Sequence, residues 1–195
     1  WYEVEKILAQ SCNLLIPVTN EERDFLQKTF DLSKEKLQTI PTAYSYMSKN
    51  TEKKNSLENS KDNLPINLCC VGPSAHLPNF QAIDWLLDGF KKHNFISNIN
   101  DFKLHITGKW KESHINEIYN KYPEFKKFII FHGFIDDLEN FLLNKVDICL
   151  NPIISGSGIR TKIYDYMKSE KPIISTSLGL LGFQMINNLQ CIISN

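Results

Sequence analysis

The sequence predicts an α/β chain built on a doubly wound parallel sheet, and three observations carry that expectation. Short apolar runs rich in β-branched residues alternate with segments of helical period along the 195 residues, the pattern of strands joined by crossover helices. Three of those runs end on a glycine where a helix should begin, at Gly72, Gly108 and Gly133. The hydrophobic content is 42%, enough to bury a core between the sheet and its covering helices.

Taken in order, the candidate strands are Asn13–Val18, Leu37–Ile40, Ile66–Val71, Lys103–Thr107, Phe128–Phe131, Val146–Leu150, Pro172–Ser175 and Cys191–Ile193. Thr19 followed by Glu22 is a capping-box pattern and sets a helix start directly after Val18. Phe80, Ile83, Leu86, Leu87 and Phe90 form one apolar helical stripe, and Ile159, Ile163 and Met167 form another. Ser48–Asn63 holds Leu57 as its one aliphatic residue and reads as a linker or long surface loop. The expected division is therefore residues 1–47, the end of a neighbouring domain with two strands; 48–65, a linker; and 66–195, a six-stranded domain cut short at its C-terminus. The chain opens at Trp1 in a helix-like segment, as a piece of something longer would.

Composition excludes several classes of partner. Lys+Arg and Asp+Glu both number 22, for zero formal charge, so no surface suited to coating nucleic acid is expected and any phosphate site must be local. The longest apolar runs fall far short of the roughly 20 residues that cross a bilayer. The five cysteines, Cys12, Cys69, Cys70, Cys149 and Cys191, lie in apolar runs without zinc spacing and read as buried thiols of a reducing, cytoplasmic compartment. Neither metal spacing nor a hydrolase triad is legible around His76, His93, His105, His114 and His132. His105 alternates into a strand as a structural residue, whereas His132, next to Gly133, is the histidine expected near a ligand.

The chemistry concentrates between Gly156 and Asp165. In open α/β sheets ligands lie outside the carboxyl ends of the strands, where Gly72, Gly108 and Gly133 would let a ligand reach backbone. Gly156-Ser157-Gly158-Ile159-Arg160-Thr161-Lys162 follows a buried strand. Its glycines can expose N–H groups, and a helix starting near Ile159 adds its positive end, a combination that suits phosphate. Arg160 and Lys162 stand against that dipole, which points to an anion; the alternative is that both solvate a helix start, with Lys162 paired to Asp165. Asp165, one turn on, could instead accept hydrogen bonds from the two hydroxyls of a ribose.

Gly-Ser-Gly-Ile-Arg-Thr-Lys, then Asp165-Tyr166-Met167, then Lys171-Pro-Ile-Ile-Ser-Thr176 resembles the donor-binding half of GT-B glycosyltransferases of the family 4 type. Val71-Gly72 with Pro78-Asn79, Ile106-Thr107-Gly108, Phe131-His132-Gly133-Phe134 with Asp137, and Val146-Asp147 agree in order. Leu15 to Thr19 and Ile40-Pro41 look like the end of the acceptor domain and the interdomain entry. The resemblance implies a Rossmann-like domain, the C-terminal half of a GT-B fold. It further implies transfer of a sugar from UDP-sugar or GDP-sugar to an acceptor glycan or lipid-linked glycan, in cell-surface polysaccharide or glycan biosynthesis, with no metal and no other cofactor. Any peripheral membrane contact would come through the missing N-terminal domain, and this piece alone should bind donor without transferring sugar.

By that resemblance the second acidic position of the family's paired-glutamate motif, which binds ribose, falls at Asp165, and the first falls at Ser157. Gly72-Pro73-Ser74-Ala75 lacks the basic pair usual after the first donor-domain strand, and Arg160 and Lys162 are its expected substitutes in stabilising diphosphate charge. Gly72, Gly133, Phe134, Gly156, Ser157, Gly158 and Ile159 would complete the donor site, with the base near Gly133 and Phe134. A nucleotide-sugar 2-epimerase of the same fold and a non-catalytic nucleotide-binding subunit remain as alternatives.

Overall fold

The computed structural model describes residues 2–43, 65–94 and 102–194, so the expected linker lies outside the described residues except for Pro65. The chain divides into two compact units, one of residues 1–45, 157–160 and 181–184, the other of residues 46–156, 161–180 and 185–195.

The larger unit is a parallel sheet of six strands, β1 (Ile66–Val71), β2 (Phe102–Thr107), β3 (Ile129–Gly133), β4 (Ile148–Asn151), β5 (Ile173–Ser175) and β6 (Ile192–Ile193), in the order β3-β2-β1-β4-β5-β6. This is the doubly wound, Rossmann-like order. Helices α3 (Leu77–Lys92), α4 (Glu112–Lys121), α5 (Leu138–Lys145) and α6 (Lys162–Lys168) join the strands. Period-two alternation gives the sheet two working faces. Leu68, Cys70, Leu104, Ile106, Ile129 and Leu150 pack with Ile83 and Leu87 of α3 and Ile118 of α4. The α3 stripe from Phe80 to Phe90 thus meets the core as expected, each fully buried aliphatic side chain contributing about 1.5–3 kcal/mol.

On the opposite face Tyr166 of α6 is fully buried, and its hydroxyl donates to Leu150 O (3.0 Å) while accepting from Val71 N (2.9 Å). The ring therefore ties the two central strands together. It also corrects the second predicted stripe: Ile163 is buried, but Met167 is 51% exposed and Ile159 lies outside the helix, which begins at Lys162. The backbone reason is the loop before it, where Gly156 and Gly158 both hold positive φ (89° and 81°) and delay the first helical turn.

The smaller unit holds α1 (Tyr2–Ser11) and α2 (Asn20–Phe30) around a core of Ala9, Phe30, Leu32 and Leu37. The predicted cap is present: Glu22 N donates to Thr19 Oγ1 (3.0 Å), and the Glu22 carboxylate accepts from Val18 N (3.0 Å). The segments expected as strands at 13–18 and 37–40 form no regular strand but meet at an isolated parallel bridge between Leu15 and Leu37, with Ile40 N also donating to Pro17 O (3.0 Å). Pro17 accepts from Ile40 N but has no N–H to donate back, so a regular ladder is interrupted there. Cys12, expected as a buried thiol in an apolar run, follows the last turn of α1 and is exposed; the other four cysteines are buried. No described helix is long and apolar enough to cross a membrane.

Candidate functional site

In this strand order the direction of winding reverses between β1 and β4, and the crevice outside their carboxyl ends is where such sheets hold ligands. Val71, Gly72, Asn79, Trp110, Pro152 and Lys162 line a cleft there. Lys162 Nζ donates to Asn79 Oδ1 (2.7 Å), and Asn79 Nδ2 donates to Pro73 O (3.0 Å). Gly72 turns out of β1 with φ +139°, and a Cβ on it would sit 2.5 Å from Asn79 Nδ2. The indole N–H of Trp110 binds Gly72 O at 3.0 Å. A glycine is required here first by Asn79, and the lysine ammonium reaches the strand end through the same asparagine.

Gly133, at the end of β3, differs: its φ is +68° and the space a side chain would occupy is open. Next to it Phe134 is 66% exposed, with Lys109 Nζ 5.9 Å from its ring centroid, a cation over an aromatic face. An exposed ring beside an unfilled glycine is a surface on which a flat ligand can rest. Asp165 is half-buried on α6, its backbone carbonyl accepting from Ser169 N at 3.1 Å. Gly156 is exposed in the loop leaving β4, directly after Ser155, whose hydroxyl bonds Gln81 Oε1.

Ser157, Gly158, Ile159 and Arg160 belong to the smaller unit. Ser157 and Gly158 are exposed, and a side chain on Gly158 would meet only open space. Arg160 is 6% exposed, and its Nη1 donates to Ser157 O (2.5 Å) and Gly158 O (3.0 Å). The guanidinium therefore folds back on the carbonyls of the loop before it, with burial lowering its pKa. Ile159 lies where a side chain on Gly182 would strike it, 3.0 Å from its Cγ1. Of the two predicted cations, Lys162 extends to the strand ends and Arg160 organises its own loop.

Sequence reasoning did not single out Asn79 or Trp110 as cleft residues, nor Tyr166 as the bridge between β1 and β4. His132, expected near a ligand, has its Nε2 2.7 Å from His105 Nδ1, the rings stacked at 5.0 Å. Asn67 Nδ2 donates to the Asp147 carboxylate (3.0 Å), which leaves Asn67 Oδ1 to accept from His105 Nε2 (3.0 Å). His105 Nδ1 is then the acceptor for His132 Nε2–H. Burial and the neighbouring His132 and Lys103 push the His105 pKa down to about 4, Asp147 opposing them. Burial likewise lowers His132, so the chain is built for two neutral imidazoles. Burial also pushes the Cys70 thiol up to about 12 and Cys149 up to about 11, which keeps them protonated and unreactive. Among the described residues no three His, Cys, Asp or Glu side chains are grouped to hold a metal.

Compared with known proteins, residues 65–190 match the family model described as glycosyl transferases group 1. A search of curated protein sequences gave no match. Among solved structures the fold is similar to TarM of S. aureus, crystallised as a point mutant with fondaparinux, alpha-GlcNAc-glycerol and UDP, at 16% identity and TM-score 0.70 over 99% of this chain and 36% of that one. It is similar to HepE of Anabaena in complex with UDP, at 10% identity and TM-score 0.71 over 100% of this chain and 53% of that one. It is also similar to the pneumococcal O-GlcNAc transferase GtfA in complex with UDP and GlcNAc, at 18% identity and TM-score 0.63 over 100% of this chain and 37% of that one. The chain thus spans between 36% and 53% of the length of these proteins. By the match over residues 65–190, the chain belongs to the group 1 glycosyl transferases.

Proposed function

We propose that residues 66–195 bind a nucleoside diphosphate sugar, UDP- or GDP-linked, and present it for transfer to an acceptor glycan or lipid-linked glycan. The observation that carries this reading is the Gly72, Asn79 and Lys162 cluster at the switch point of a domain matching the glycosyl transferase model. A lysine there is a point charge for a diphosphate, and Arg160 contributes by holding the Ser157–Gly158 carbonyls so that the glycine loop keeps its shape. Phe134 and the open side of Gly133 serve the base, and Asp165 accepts from the ribose hydroxyls. Charge neutralisation rests on these side chains rather than on a metal. The crystal complexes of TarM, HepE and GtfA with UDP support the choice of nucleotide class. The domain division at residues 1–47, 48–65 and 66–195 belongs to the same reading.

Ser157, where the family pattern has an acidic residue, favours one second reading, a subunit that binds nucleotide without turnover. Calorimetry with UDP and GDP, followed by a sugar-release assay on the full-length protein with UDP- and GDP-sugars, separates the two. Nucleotide binding with release supports the transferase, binding without release supports the subunit, and a folded protein that binds neither nucleotide sinks both.

A further inference from the structure

Away from the strand ends, the outer face of α3 carries a groove of about 390 Å³. Gln81, Asp84, Trp85 and Asp88 of α3 line it together with Lys121 at the end of α4 and Ser155 after β4. Trp85 is 39% exposed, although the large apolar residues of the same helix at Ile83 and Leu87 are fully buried. Nothing in the strand-end cleft uses any of the six.

The charges in the groove are already balanced. Lys121 Nζ sits 2.6 and 2.8 Å from the two Asp84 oxygens, and Tyr122 donates to Asp84 Oδ1 at 3.0 Å. Lys92 pairs with Asp88 at 2.6 Å. An anionic ligand would meet two carboxylates, and a cationic one would have to displace two lysines from them. What remains is apolar surface from Phe80 and Ile154 and hydrogen-bonding capacity at fixed positions: carboxylate oxygens with further lone pairs, and the Gln81 amide, whose oxygen is taken by Ser155 but which still carries N–H donors. A half-exposed indole supplies a flat face with negative quadrupole, on which polarised C–H groups can lie.

We propose that this groove binds a neutral oligosaccharide, one pyranose ring stacked on Trp85 and its hydroxyls bonded to Asp84, Asp88 and Gln81. The amphipathic ring of a sugar, apolar C–H on its faces and hydroxyls around its edge, matches the indole below and the planar polar groups beside it. A mixed concave surface of this size is within the range of ligand sites, roughly 300–1,000 Å³.

Saturation-transfer NMR on the protein with maltotriose, cellotriose and chitotriose tests this directly. At least one should receive saturation at its ring C–H protons. Trp85→Ala should weaken that binding about tenfold or more, while Trp85→Tyr keeps it within about threefold. UDP affinity, titrated on the same variants, should not move, which separates this groove from the nucleotide site. Should Trp85→Ala melt early, Gln81→Ala reads the same groove with less disturbance of packing. No transfer to any of the three sugars, or sugar binding unaltered in both alanine variants, overturns the proposal.

Discussion

Lys162 and Asn79 meet at 2.7 Å although 83 residues separate them in sequence, and the contact links the first turn of α6 to the first turn of α3 across the switch point. In the donor reading proposed above, the asparagine thereby holds the lysine where a diphosphate would lie. Lys162→Ala is expected to weaken UDP or GDP binding by about 1.5–3 kcal/mol, the scale of a lost charge-assisted hydrogen bond. Calorimetry on a variant whose melting is nearly unchanged checks it.

Arg160→Ala should behave differently, because its guanidinium is buried against Ser157 O and Gly158 O. Loss of these bonds should lower stability by about 1–3 kcal/mol as well as weaken nucleotide binding. Coincident thermal melts of wild type and variant would show that Arg160 is not needed for stability.

Asp165→Asn is expected to reduce the affinity for UDP more than that for its 2′-deoxy analogue, since only the former offers both hydroxyls to the carboxylate. Equal losses in a paired titration would remove Asp165 from the ribose site.

Tyr166→Phe removes one oxygen and strands two backbone groups, Val71 N–H and Leu150 C=O, in the interior. A destabilisation of about 1–3 kcal/mol is expected, read as a fall in urea midpoint at constant slope. A midpoint unchanged within error would show that water replaces the hydroxyl.

The histidine chain sets an acid limit. His105 titrates near 4 in the folded protein against an ordinary 6.5, so on acidification the unfolded chain takes up the proton first. Its contribution to stability is complete above about pH 6.5 and is lost as pH falls toward 4, with His132 adding in the same direction. Denaturant melts across that window should show the decline, and His105→Gln should flatten it.

The alternation of apolar runs made β1, β2 and β3 legible within two residues, because each is an apolar run ended by a glycine that the backbone needs. The Thr19–Glu22 cap was legible for the same reason, local chemistry written in adjacent residues. Leu15–Val18 misled because apolar character says nothing about whether Pro17 can donate to a ladder. Met167 misled because two loop glycines shifted the start of α6, and the core position went to Tyr166. At the candidate site, Gly72 announced a turn, but that Asn79 fills the space beside it is a tertiary fact. Trp110 carries no sequence signal for the cleft, and Asn79, although among the residues that carry the resemblance, meets Lys162 only through the fold, 83 residues away.

The pairing of β1 with β4 has a consequence for how the chain is made. Leu68 and Cys69 must wait for Ile148 and Cys149, whereas β2 and β3 follow β1 more closely in sequence. During synthesis the β1–β2–β3 half can assemble first, with the inner edge of β1 left as an open row of N–H and C=O groups flanked by apolar side chains. Such an edge is a template for another chain, and closing it across the long interval is slow. Conditions that stall synthesis or folding between Gly133 and Ile148 should therefore favour aggregation over any stable half-domain.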